Sequence, residues 1–186
     1  MSNEQTKTIN ENLIMASAII DRSGSMDDMG GAKEMAGTIN RFFQDQYKLD
    51  GKEVISSITT FDDEIENVIP PTREHITVNA DDIEPRGLTA MTEAIGKTIE
   101  TTGNYLRDLD DRPGLVIIFI LTDGEENAST GTWSGRSGVN KLKELIKRQT
   151  TVYSWQFVFA GANIDAVDVG GSIGIESARC INFSPN

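Results

Sequence analysis

The chain has 186 residues, enough for one domain with a sizeable core, and 38 % hydrophobic with 25 % charged residues excludes a fibrous or disordered class. A formal net charge of −12 argues against a nucleic-acid backbone as the main partner, because that binding rests on Lys and Arg neutralising phosphates. The longest apolar run, residues 115–121, is too short to cross a bilayer. The first residues, MSNEQTKTINEN, carry no apolar signal-peptide core, and the single cysteine, Cys180, suits a reducing compartment. A cytoplasmic protein without membrane contact is expected.

In chain order, a polar arm at 1–12 precedes one domain at 13–186. Residues 13–20, LIMASAII, form a nearly continuous apolar run, which predicts a strand buried on both faces. Over 31–47 the period changes: Ala32, Met35, Ala36, Ile39, Phe43 and Tyr47 mark an amphipathic helix. VISSITTF at 54–61, the turn-like FDDEI and ENVIP ending at Pro70 read as a hairpin at a sheet edge, where Pro70 and Pro71 are tolerated. A loop over 71–88 leads to a second helix traced by Met91, Ala94, Ile95, Thr98, Ile99, Thr102 and Leu106. Pro113 and Gly114 are expected to break the chain before the strand LVIIFIL, which ends in Thr122, Asp123 and Gly124. A polar surface loop over 125–138, a helix over 139–149, a strand within VYSWQFVFAG, a short helix in 164–173 and a last strand in RCINF complete the chain. Strands alternating with helices predict a doubly wound, mostly parallel open α/β sheet with one antiparallel edge strand and helices on both faces.

In such sheets ligands sit at the carboxyl ends of strands, near the point where strand order reverses. Two apolar strands here run into aspartate, Asp21 and Asp123. If these strands are parallel neighbours, the loop DRSGS at 21–25 and the loop TDG at 122–124 share one rim. That rim then gathers Asp21, Ser23, Ser25 and Asp123. Thr89 in GLTAMTEAI stands where a loop passes into a helix and is a further donor, although the commoner role there is a helix N-cap. Hard oxygen donors without sulfur or imidazole favour Mg²⁺, Mn²⁺ or Ca²⁺ over zinc.

Taken together, DRSGS at 21–25, GLT at 87–89 and TDG at 122–124 resemble the D-x-S-x-S, G-x-T and third-loop aspartate motifs of the von Willebrand factor A-type (vWA) domain. The order and setting agree: SITTFDDEIENVIP is similar to the family's second and third strands, and YSWQFVFAGANIDAVDVG to its fifth strand and last helix. The resemblance implies a Rossmann-like vWA fold with a metal-ion-dependent adhesion site. It implies Ser23, Ser25 and Thr89 as direct ligands and Asp21 and Asp123 acting through water or hydrogen bonds. It further implies a Mg²⁺ ion bridging to an Asp or Glu carboxylate on a protein partner, in a stand-alone intracellular protein of the bacterial or phage type that serves as adaptor or complex subunit. Leu88 stands where the family often has a second glycine.

Other readings are open at this point. A Mg²⁺-dependent phosphoryl-transfer enzyme or hydrolase using Asp21 would share the rim with Asp123, but Ser23 replaces the carboxylate wanted two residues after the nucleophile. A Ser-His-Asp triad is poor, because the only histidine, His75, falls in the edge region. No enzyme is therefore expected. A vestigial site acting through surfaces alone is a third reading. Trp133, in the polar loop after Asp123, is either a partner contact or a ring folded back onto a helix.

Overall fold

The computed structural model describes residues 7–29, 31–124, 126–162 and 164–183. The strands are β1 (Ile9–Asp21), β2 (Glu53–Phe61), β3 (Ile65–Thr72), β4 (Arg112–Thr122), β5 (Gln156–Ala162) and β6 (Cys180–Phe183). The helices are α1 (Gly31–Tyr47), α2 (Met91–Asp108), α3 (Gly135–Tyr153) and α4 (Ala166–Ser172). One sheet runs in the order β3-β2-β1-β4-β5-β6. All neighbours are parallel except β3, which pairs antiparallel with β2 at the edge.

The apolar runs explain this layering. Along β1, Leu13, Met15 and Ile19 join the core beneath α2 and α3, whereas Ile14, Ala16, Ala18 and Ile20 join the core beneath α1. A strand covered on both faces has no polar side, which is why its sequence does not alternate. Helix α1 contributes Met35, Ile39 and Phe43 to one core, and α2 and α3 contribute Ile95, Ile99, Leu142 and Ile146 to the other. Pro70 and Pro71 lie in the outermost strand, where a missing N–H costs no ladder bond. The chain builds outward from β1 to β3 and then returns to place β4 on the other side of β1. The reversal puts the carboxyl ends of β1 and β4 side by side, with Ile20 opposite Leu121. That is where a crevice opens in a sheet of this kind.

Several boundaries differ from the sequence expectation. Of the polar arm expected at 1–12, residues 1–6 lie outside the described residues, and β1 already begins at Ile9. Pro113 and Gly114 do not break the chain; they belong to β4, opposite the start of β1. The ladder shifts register between Asn10 and Ile14, and such a bulge accommodates a proline. A Cβ on Gly114 would lie 2.7 Å from the Glu11 backbone, so only glycine allows this approach. Helix α3 is longer than expected at both ends, and it stops where Ser154 turns into the left-handed region at φ 58°.

Candidate metal centre

Asp21 closes β1 with both carboxylate oxygens engaged. Oδ1 accepts the Ser23 amide at 2.7 Å, and Oδ2 accepts the Thr122 hydroxyl at 2.6 Å. The first bond bends the chain after the strand, so that Ser23 and Ser25 come out on the same side with their hydroxyls 3.2 Å apart. The Ser25 hydroxyl donates to Asp123 Oδ1 at 2.8 Å, which joins the first loop to the loop after β4. Asp21, Ser23 and Asp123 are buried, and Ser25 is exposed at the mouth.

Thr89 comes from the segment before α2 and is 3 % exposed. It reaches the same point: a Cβ placed on Gly124 would lie 3.0 Å from Thr89 Oγ1 and 3.3 Å from Asp21 Oδ2. The glycine of TDG thus leaves room between the aspartate and the threonine. Backbone bonds hold the arrangement, with Gly24 N donating to Gly87 O at 3.2 Å. The structure therefore brings Asp21, Ser23, Ser25, Thr89 and Asp123 into one constellation at the β1/β4 crevice.

The N-cap role for Thr89 does not hold. The capping position of α2 is Ala90, and the amides of Thr92 and Glu93 are satisfied from elsewhere, by Glu126 Oε2 at 2.6 Å and by the Ser129 hydroxyl at 3.0 Å. Asn127 Oδ1 accepts the Thr89 amide at 2.9 Å, and the Thr89 carbonyl accepts the amides of Asn127 and Ala128. The segment after TDG therefore wraps the start of α2. Glu126, Asn127 and Ser129 escape a sequence reading because their partners are remote in the chain and no local pattern marks them. Leu88 fits where a glycine was expected because Gly87, at φ 67°, makes the turn; Leu88 itself is 55 % exposed on the rim.

The electrostatics suit a cation. Burial pushes the Asp21 carboxyl up to about 6, and the nearby Asp123 charge works in the same direction, against the hydrogen bonds from Thr122 and Ser23. Among the described residues Asp21 meets hydroxyls and an amide but no cationic side chain, so a bound cation would favour its ionised form. Among the described residues no three His, Cys, Asp or Glu side chains gather around one point. The donor set is hydroxyl oxygens backed by two carboxylates, which fits a hard dication held with neutral protein ligands.

Trp133 corrects the partner-contact reading. It is 5 % exposed, its ring lies against Gly96 of α2, and the Lys141 ammonium sits 3.5 Å from the ring centroid. A large ring gains more from covering itself on a helix than from standing in water. His75 stacks on Tyr47 at 4.0 Å and takes no place in the constellation.

No family model and no curated protein matches the chain. Solved structures do match. The von Willebrand factor domain of the type V pili tip protein Mfa5 from Porphyromonas gingivalis superposes with a TM-score of 0.66 at 9 % identity, covering 95 % of this chain and 91 % of that one. The SpRpn10 VWA domain gives 0.58 at 14 %, with 92 % and 88 % covered. Proximal thread matrix protein 1 from the mussel byssus, solved with a zinc-occupied MIDAS motif, gives 0.63 at 14 %, with 95 % of this chain and 42 % of that chain covered. The chain spans less than two thirds of several structures that it matches, among them the von Willebrand factor type A protein from Catenulispora acidiphila, of which it covers 33 %. With the sheet order, the antiparallel edge and these superpositions together, the chain has the fold of a von Willebrand factor A-type domain.

Proposed function

We propose that the domain is a divalent-cation-dependent protein-binding module. Ser23, Ser25 and Thr89 hold the ion through their hydroxyls, while Asp21 and Asp123 act through water or hydrogen bonds. Mg²⁺ is the first candidate, with Mn²⁺ and Ca²⁺ as alternatives. When bound, a dication held mainly by neutral hydroxyls offers a position to a partner's Asp or Glu carboxylate. The chain's own residues supply the rest. Asp21 fixes the first loop through the Ser23 amide, and Asp123 orients the Ser25 hydroxyl. The observation that carries the reading is the convergence of these oxygens from three separate loops at the β1/β4 crevice, with Ser25 at the open side.

A mussel byssus protein of the same fold carries a zinc-occupied site of this type, which supports a divalent ion here as well. The net charge of −12 favours a protein partner over a phosphate backbone, and the single cysteine fits a stand-alone intracellular adaptor or complex subunit of the bacterial or phage type. Among the described residues no helix is long and apolar enough to cross a membrane. Against the phosphoryl-transfer reading stands Asp21 itself: its side chain is buried and both oxygens are engaged, a poor state for a nucleophile.

Calorimetric titration of Mg²⁺ and Mn²⁺ into chelator-treated protein tests the site. Saturable binding to the wild type that Ser23→Ala loses is expected. Binding that persists in Ser23→Ala would place the ion elsewhere.

A further inference from the structure

Beside the constellation lies an ionic cluster, built on the buried pair Arg22 and Asp62, that the metal reading does not use. Asp62, at the turn between β2 and β3, has a side chain only 1 % exposed. Its Oδ2 accepts Arg22 Nε at 3.0 Å and Arg86 Nε at 2.7 Å, and its Oδ1 accepts the Glu64 amide at 2.6 Å. Arg22 continues to Glu66, with Nη1 donating to Oε2 at 3.1 Å and Nη2 3.0 Å from Oε1 without hydrogen-bond geometry. Arg86 Nη2 reaches Glu64 and Glu66, each at 3.1 Å.

The backbone of the same residues binds the loops to one another. Arg22 N donates to Phe61 O at 2.8 Å, Arg86 N to Arg22 O at 2.6 Å, and Ala90 N to Asp62 O at 2.8 Å. The segment that carries Thr89 is thus fastened on both sides, by Arg86 before it and Ala90 after it. Arg22 sits between Asp21 and Ser23, inside the first loop. A buried ion group is weak evidence for stability, because apolar residues of equal volume often do as well. What a carboxylate receiving two guanidinium groups adds is fixed distance and direction.

We propose that Asp62, Arg22 and Arg86 are positioning residues of the cation site. They set the spacing between the loop bearing Ser23 and Ser25 and the loop bearing Thr89. The inference rests on the cation-binding reading for its purpose, but the clamp itself can be tested without metal.

Arg86→Met and Asp62→Asn would be compared with wild type and with Arg73→Met, which removes an exposed ion pair to Glu53 away from the loops. Arg86 is half exposed, so its variant should fold. In chelator, amide hydrogen exchange at Gly24, Arg86 and Ala90 is expected to rise about tenfold or more in the clamp variants, with β4 amides unchanged. Mn²⁺ affinity, followed by calorimetry, should fall by about tenfold, the scale found for outer partners of metal ligands, and Arg73→Met should match wild type. Arg86→Lys, which keeps the charge but cannot bridge two carboxylates through a fork, should recover only part of the affinity. Unchanged loop exchange, or exchange raised equally in β4, would overturn the clamp, as would wild-type Mn²⁺ affinity in the clamp variants. If the wild type itself binds no Mn²⁺, the cation reading fails and the exchange data alone decide the clamp.

Discussion

Gly96 lies in the middle of α2, on the face that meets Trp133, and a Cβ there would come within 2.2 Å of the ring. Two effects oppose each other in Gly96→Ala. Helix propensity favours alanine by about 1 kcal/mol. Overpacking against a ring that is 5 % exposed costs about 1–3 kcal/mol. The second effect should win, because the Trp133 backbone has no room to move the ring away: a Cβ on Gly138 would lie 1.9 Å from the Trp133 carbonyl oxygen, so α3 packs directly against that backbone. Urea unfolding should show Gly96→Ala to be destabilised and Trp133→Ala to lose about 3–5 kcal/mol. A stabilised Gly96→Ala would mean that the ring is not seated there. In the sequence Gly96 carries no signal of this contact, because a glycine within a helical run names no partner. At the level of single residues the convergence of Asp21, Ser23, Ser25, Thr89 and Asp123 was legible because each sits in a short motif. Trp133 was not, because its cover comes from another helix.

Elements were legible where one physical pattern governs a long segment. The two-faced apolar runs of β1 and β4 and the helical spacing in α1 and α2 required no partner to be recognised. The capping of α2 was not legible, since its first amides are met by residues from the segment after β4. Glu126 accepts the amides of Thr92, Ala128 and Ser129 together with the Ser129 hydroxyl. It places a carboxylate near the positive end of the helix dipole. Removing it leaves helix amides without their acceptor, so Glu126→Ala should cost about 1–2 kcal/mol, the scale of a lost N-cap. Ser129→Ala, which removes one weaker acceptor from Glu93 N, should cost less. Equilibrium unfolding with an unchanged m-value would check both, and equal stability of Glu126→Ala and wild type would contradict this cap.

For the molecule as a whole, the balance of charge makes acid the informative variable. The chain carries −12 at pH 7, and its sequence pI is about 4.5, so acidification relieves self-repulsion across the surface. The Asp62 clamp responds in the opposite sense. Burial alone would raise the Asp62 carboxyl, but the hydrogen bond from Arg86 and the charges of Arg22 and Arg86 outweigh it and hold the group below its ordinary value of 3.8. Because the folded value is depressed, the unfolded chain takes up the proton first on acidification. The clamp's contribution is therefore fully present above the unfolded value, near pH 4, and is lost as pH falls through the folded one. Comparing wild type with Asp62→Asn reads the contribution of this cluster, since surface repulsion and the raised Asp21 carboxyl act in both proteins and cancel. Breaking a buried pair costs about 3–5 kcal/mol, so a stability gap of that order is expected at pH 7 and again at pH 5. At pH 3 and below the gap should narrow as the wild-type carboxylate is protonated. A gap that stays constant down to pH 2 would show that Asp62 contributes through packing and not through its charge.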